Sequence, residues 1–151
     1  MRLDSFKAID NSVTKTMLKF SKPALRFSLA IIFIWFGALK PLGLSPAEGL
    51  LKDTVSWLPF GKPEFWLHAI GYWEVCIGIF FLFKKTNRMA IGLLFVQMIG
   101  TFLPLVFLPE VTFQNMNPLL LTLEGQYIIK NVMIISAALV LGGDLHKFKS
   151  Y

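Results

Sequence analysis

Charge and cysteine are scarce in this chain, and each scarcity removes a class of function. Charged residues make up 16% of the 151 positions against 55% hydrophobic ones, and the mean hydropathy is +0.62. That balance excludes an ordinary soluble domain and leaves a membrane protein of one domain. The single cysteine, Cys76, lies within an apolar run, so neither an intrachain disulfide nor a Cys-x-x-Cys redox pair can form. No haem, iron–sulfur or flavin motif is visible, and neither an internal repeat nor a low-complexity tract organises the chain. The N-terminus lacks the pattern of a cleavable signal, because mixed polar residues follow Arg2 and Lys7. A net charge of +6 could suggest nucleic acid, but no Gly/Arg-rich tract or nucleic-acid motif accompanies it. The basic residues flank hydrophobic runs and read as topology signals.

What is abundant is apolar length. Four runs of about 20 residues, the length that crosses a bilayer, are expected at 24–42, 65–83, 89–108 and 123–142. Before them, Leu3, Phe6, Ile9, Val13, Met17 and Phe20 recur at spacings of three and four among lysines. This predicts an amphipathic helix over 1–22 along an anionic membrane surface, with packing on another subunit as the alternative. Between the first two spans, Ser45-Pro46-Ala47-Glu48 reads as a capping box that starts a short helix through Trp57. Pro104 predicts a kink in the third span. Residues 109–122 are expected to be irregular, with Leu119 to Leu121 dipping into the interface, and residues 144–151 form a basic tail.

Six Lys and Arg residues lie in the N-terminal segment up to Arg26, three follow the second span and two lie in the tail, whereas Glu48, Asp53, Glu64, Glu110 and Glu124 lie on the other side. Both termini are therefore expected in the cytoplasm. The fold class is all-α: an integral membrane antiparallel four-helix bundle with an N-terminal interfacial helix. In this topology His68 and His146 fall on opposite faces, so no metal site is expected.

Glu74 stands near the middle of the second span. A charge there costs roughly 2.5 kcal/mol or more, so the acid must face protein or water and needs a partner. Gly71, Glu74 and Gly78 share a helix face where another helix can approach closely. Lys130 can point to Glu74 or to Glu124 and Lys40 on its own reads as a snorkelling anchor, but the leading expectation gathers Lys40, Glu74 and Lys130 into one polar core beneath the outer face. Gln97 and Thr101 form a polar face on the third span; Tyr127, Lys130 and Asn131 form one on the fourth. Two readings stand. These groups act as interhelical glue, or they line an outward cavity walled by Trp35, Trp73, Phe36 and Tyr127 for a small or lipid-like ligand. His68 fits an interfacial hydrogen bond better than a proton relay.

The stretches IFIWFGALKPLGLSPAEGL, HAIGYWEVCIGI, QMIGTFLPLVFLPE and LEGQYIIKNVMIISAALVLGG together resemble the DoxX-like superfamily of small bacterial four-helix membrane proteins, over residues 24–143. The resemblance implies an inner-membrane bundle, sometimes associated with quinone-linked oxidoreductases or oxidative-stress responses. It singles out Lys40 and Glu74, and with less support Glu124 and Lys130. The expected role is an accessory or binding protein for a quinone-like or lipid-like molecule, with no cofactor of its own evident and no intrinsic catalysis required. A membrane subunit of a quinone-linked complex and a proton-coupled carrier are the alternatives. The expected partners are the bilayer and either a membrane redox protein or a second copy of the chain.

Overall fold

The computed structural model describes residues 2–56, 58–59 and 61–144; the basic tail with His146, and Trp57, lie outside them. Seven α-helices follow in order: α1 (Arg2–Leu39), α2 (Glu48–Val55), α3 (Pro63–Leu82), α4 (Asn87–Phe102), α5 (Pro104–Phe107), α6 (Pro109–Thr112) and α7 (Leu123–Asp144). Among the described residues the extended pairing is a single isolated bridge, Phe113 with Leu121. Among the described residues four segments are long and apolar enough to cross a membrane: Ile9–Leu39, Pro63–Leu82, Lys84–Phe107 and Leu123–Gly143.

The first boundary differs from expectation. The amphipathic segment and the first span form one continuous helix through Pro23, where a surface helix over 1–22 separate from a span beginning at 24 is expected from the sequence. Proline already has a helical φ, so its cost is the hydrogen bond to the carbonyl one turn back, and helix-compatible sequence on both sides carries α1 across it. The apolar stripe is real: Phe6, Ile9, Val13, Met17 and Phe20 are all exposed. At 38 residues and about 1.5 Å per residue, α1 is far longer than a bilayer's apolar core of roughly 30 Å.

The third span bends where proline demands it. Pro104 cannot donate to the Gly100 carbonyl, which instead accepts from the Leu103 N–H at 3.2 Å, and the helix restarts as α5. The predicted capping box does not form. Ala47 occupies the N-cap of α2 without a side-chain bond, and the Glu48 carboxylate turns to Lys52 at 2.8 Å. Lys52 also reaches Glu64 at 3.3 Å, tying α2 to the start of α3. These two bonds, that to Glu48 first, raise the Lys52 pKa.

The 109–122 connection has more order than its composition suggests. It contains α6, a 3₁₀ turn over Gln114–Met116 and the bridge. Thr122 closes it, donating its hydroxyl to the Val111 carbonyl at 2.7 Å and accepting from the Gly125 N–H at 3.1 Å. Leu119 and Leu120 are exposed.

The core lies where the four long helices meet. Leu29, Ala30 and Phe33 of α1 pack with Ile77 and Phe81 of α3, Ala90, Leu94 and Met98 of α4, and Ala138 and Leu141 of α7. The closest approach is between α1 and α3. A Cβ added at Gly37 would sit 2.8 Å from the Gly71 carbonyl oxygen, and one at Gly78 would sit 2.6 Å from Ile34 Cγ1 and 2.8 Å from the Ala30 carbonyl oxygen. Gly37 thus opposes Gly71 while Ala30 opposes Gly78, which fixes the two helices as antiparallel in one register. Small residues at such a seam bring backbones into van der Waals contact, which is how helices associate in lipid.

Candidate functional site: a buried Lys40–Glu74–Gln97 cluster

The glycine seam determines what Glu74 meets. Because Gly37 lies on Gly71, the end of α1 crosses α3 one turn from Glu74, and Lys40 sits at that end. Its Nζ donates to Glu74 Oε2 and to the Phe36 carbonyl at 3.4 Å. The Phe36 carbonyl belongs to the last turn of α1, where helix carbonyls lack backbone partners and attract a cation. From the other side, Gln97 Nε2 of α4 donates to Glu74 Oε1 at 2.9 Å. Both carboxylate oxygens are therefore occupied.

The Lys40 and Glu74 side chains are 8% and 13% exposed. This is a desolvated ion pair within the bundle, and it is stable only because each charge has the other and a further hydrogen bond. Lys40 does not snorkel outward as a lone anchor would. Glu74 is the twelfth residue of α3, about 16 Å along its axis from Pro63, so the cluster lies at depth on the side of the bundle that carries the α1–α2 and α6–α7 connections.

Gln97 has a second role. With Val96 of α4 and Trp66, Ala69, Ile70 and Trp73 of α3, it lines an open groove of about 210 Å³. Trp66, Ala69, Ile70 and Trp73 fall at i, i+3, i+4 and i+7, one stripe of α3. That stripe was a readable signal, although only Trp73 stood out in the sequence. The volume is below the roughly 300 Å³ at which sites for whole drug-sized ligands begin. It suits a ring or headgroup whose tail stays in lipid.

The other predicted residues are dispersed. Lys130 is exposed, with its ammonium 5.1 Å from the centre of the Tyr127 ring, and so turns away from Glu74. Glu124 and His68 are exposed. Asn131 donates to the Tyr127 and Ile128 carbonyls of its own helix at 3.0 and 3.1 Å. Thr101 donates to the Gln97 carbonyl at 3.0 Å, which holds α4 backbone and leaves the Gln97 side chain to Glu74. Trp35, Phe36 and Tyr127 are exposed and lie outside the groove, so the predicted aromatic wall reduces to Trp73.

The family model described as DoxX matches residues 22–108, more than half of the chain and all of the cluster. No curated protein and no solved structure matches.

Proposed function

The chain belongs to the DoxX family and is a multi-pass membrane protein, and from that premise we propose that it is an accessory binding protein for the polar end of a quinone-like or lipid-like molecule. One observation carries this reading: Gln97 both lines the lipid-side groove and hydrogen-bonds the buried Glu74. A glutamine offers two N–H donors and a carbonyl acceptor, so one bond to Glu74 leaves capacity for a carbonyl or hydroxyl seated between Trp66 and Trp73. The aromatic faces supply apolar contact, and the ion pair holds the amide in place. Redox chemistry on such a molecule belongs to a membrane partner in this reading.

The test is titration of the purified protein with a short-chain quinone and, separately, a single-chain phospholipid, read by quenching of tryptophan emission. Saturable quenching is expected with one of them, and Gln97→Leu should weaken it at least tenfold without loss of helicity. Wild-type affinity in Gln97→Leu would overturn the proposal.

A further inference from the structure

The opposite end of the bundle holds two polar atoms that have no partner among the described residues. Arg26 and Asn87 are only 9% and 7% exposed, yet Arg26 Nε and Asn87 Oδ1 are buried with no hydrogen-bond partner among the described residues. Arg26 lies one turn before Leu29 and Ala30 on the core-facing side of α1, and Asn87 one turn before Ala90 on that of α4. Since α1 and α4 each run antiparallel to α3, they run parallel to one another. Both residues therefore close the same end of the core.

Guanidinium stays charged at any accessible pH, and among the described side chains no carboxylate pairs with Arg26, a costly state for a buried charge. The Phe27 ring, 5.2 Å from the Arg26 guanidinium, compensates only in part. The surroundings add positive charge: Lys84, Lys85 and Arg88 are exposed around the α3–α4 turn. Thr86, the N-cap of α4, makes no side-chain capping bond; its single hydroxyl proton points back toward the Phe80 carbonyl at 2.7 Å, with the Phe83 carbonyl at 3.1 Å. The positive end of the α4 dipole is thus also available to an anion. Phe27, Phe83 and Met89 are exposed apolar side chains at this level, so the site borders the hydrocarbon region.

We propose that this end of the bundle binds the headgroup of an acidic phospholipid bearing a free hydroxyl, of the phosphatidylglycerol class. The two orphaned atoms define the chemistry. Arg26 is a donor that requires an anion, which the phosphodiester oxygen provides; Asn87 Oδ1 is an acceptor that requires a donor, which the headgroup hydroxyl provides. A zwitterionic headgroup brings an ammonium into a cationic end, whereas a net negative one is attracted to it. A free phosphate satisfies Arg26 but leaves the bordering apolar side chains without acyl chains to cover them.

The experiment uses the full chain, delipidated in neutral detergent, with displacement of a fluorescent phosphatidylglycerol as the readout. Unlabelled phosphatidylglycerol is expected to compete at least tenfold better than phosphatidylcholine or inorganic phosphate. Arg26→Gln should weaken it at least tenfold and the exposed pair Lys84→Gln/Lys85→Gln less than threefold. Asn87→Ala should reduce phosphatidylglycerol to the level of phosphatidic acid, which lacks the hydroxyl-bearing group. Equal competition by phosphatidylcholine, or wild-type affinity in Arg26→Gln, overturns the site. Inorganic phosphate competing as well as the lipid overturns the lipid source, and phosphatidic acid matching phosphatidylglycerol in the wild type overturns the hydroxyl contact. If Arg26→Gln fails to fold, Arg26→Lys keeps the charge and removes the Nε donor; unchanged affinity there overturns the proposal too.

Discussion

Breaking the Lys40–Glu74 pair from one side should be far more harmful than removing both charges together. Lys40→Met leaves the Glu74 carboxylate with only the Gln97 amide, and Glu74→Leu leaves the Lys40 ammonium with only the Phe36 carbonyl. With side chains 8% and 13% exposed, water cannot readily replace the missing partner. Removing one member of a buried pair costs about 3–5 kcal/mol, whereas replacing both with apolar groups is often neutral or stabilising. The double variant should therefore fall within about 1 kcal/mol of wild type, with a coupling energy of roughly 3 kcal/mol or more. Ordinary interhelical hydrogen bonds in membranes average about 0.6 kcal/mol, so the two cases are well separated. The assay is equilibrium unfolding in mixed micelles, followed by far-UV circular dichroism, for wild type, both single variants and the double. Two single effects below about 1 kcal/mol that simply add would show that water reaches the pair, and would refute the desolvated-pair argument.

Three further outcomes follow from the same geometry. Gly71→Ala and Gly78→Ala place a methyl against backbone of α1 at 2.8 Å and should cost about 1–3 kcal/mol through overpacking. Gly92→Ala and Gly100→Ala meet nothing within 4 Å and should be neutral or stabilise by roughly 0.5–1 kcal/mol; thermal midpoints of the four variants compare them directly. Gln97→Leu leaves Glu74 Oε1 unsatisfied and should lower stability by about 1–3 kcal/mol, measured by the same micelle unfolding. Lys52 has its pKa raised above the ordinary 10.5 by its bonds to Glu48 and Glu64. Its stabilising contribution is then full below the unfolded-state pKa and is lost as pH rises through the folded one. The stability difference between wild type and Lys52→Met should shrink to nothing in strongly alkaline buffer, and a difference that grows there contradicts the assignment.

The four spans were legible because apolar length is a local property: each run declares itself without reference to its neighbours. The bend at Pro104 was legible for the same reason, since a missing N–H acts one turn away. The partner of Glu74 was different. Gly71, Glu74 and Gly78 showed which face of α3 enters the bundle, but whether Lys40 or Lys130 meets the acid depends on the register between two helices. That register rests on Gly37, a glycine unremarkable in the sequence until it is seen against Gly71. Ser45 and Glu48 carried the letters of a capping box, yet Glu48 had a competing partner in Lys52 one turn away. Arg26 read as a flanking topology charge because nothing local shows that the core closes over it.

The occupancy of Glu74 constrains how the cluster can act on a ligand. One oxygen is held by Lys40 and the other by Gln97, and because Glu74 does not line the groove, a molecule there meets the Gln97 amide before the carboxylate. Displacing Lys40 separates a buried pair, at about 3 kcal/mol or more, whereas a hydrogen bond to the free valences of Gln97 displaces nothing. The groove side chains fit the second route, because Gln97 lines it and neither Lys40 nor Glu74 does. In the proposed binding role Glu74 is thus a positioning residue, holding the Gln97 amide from behind. Lys40 in turn keeps Glu74 in place, across a seam so close that the two helix backbones touch. In the proposed binding role the glue and the site are one construction, whose rigid half is the α1–α3 seam and whose exposed half is the α4 glutamine.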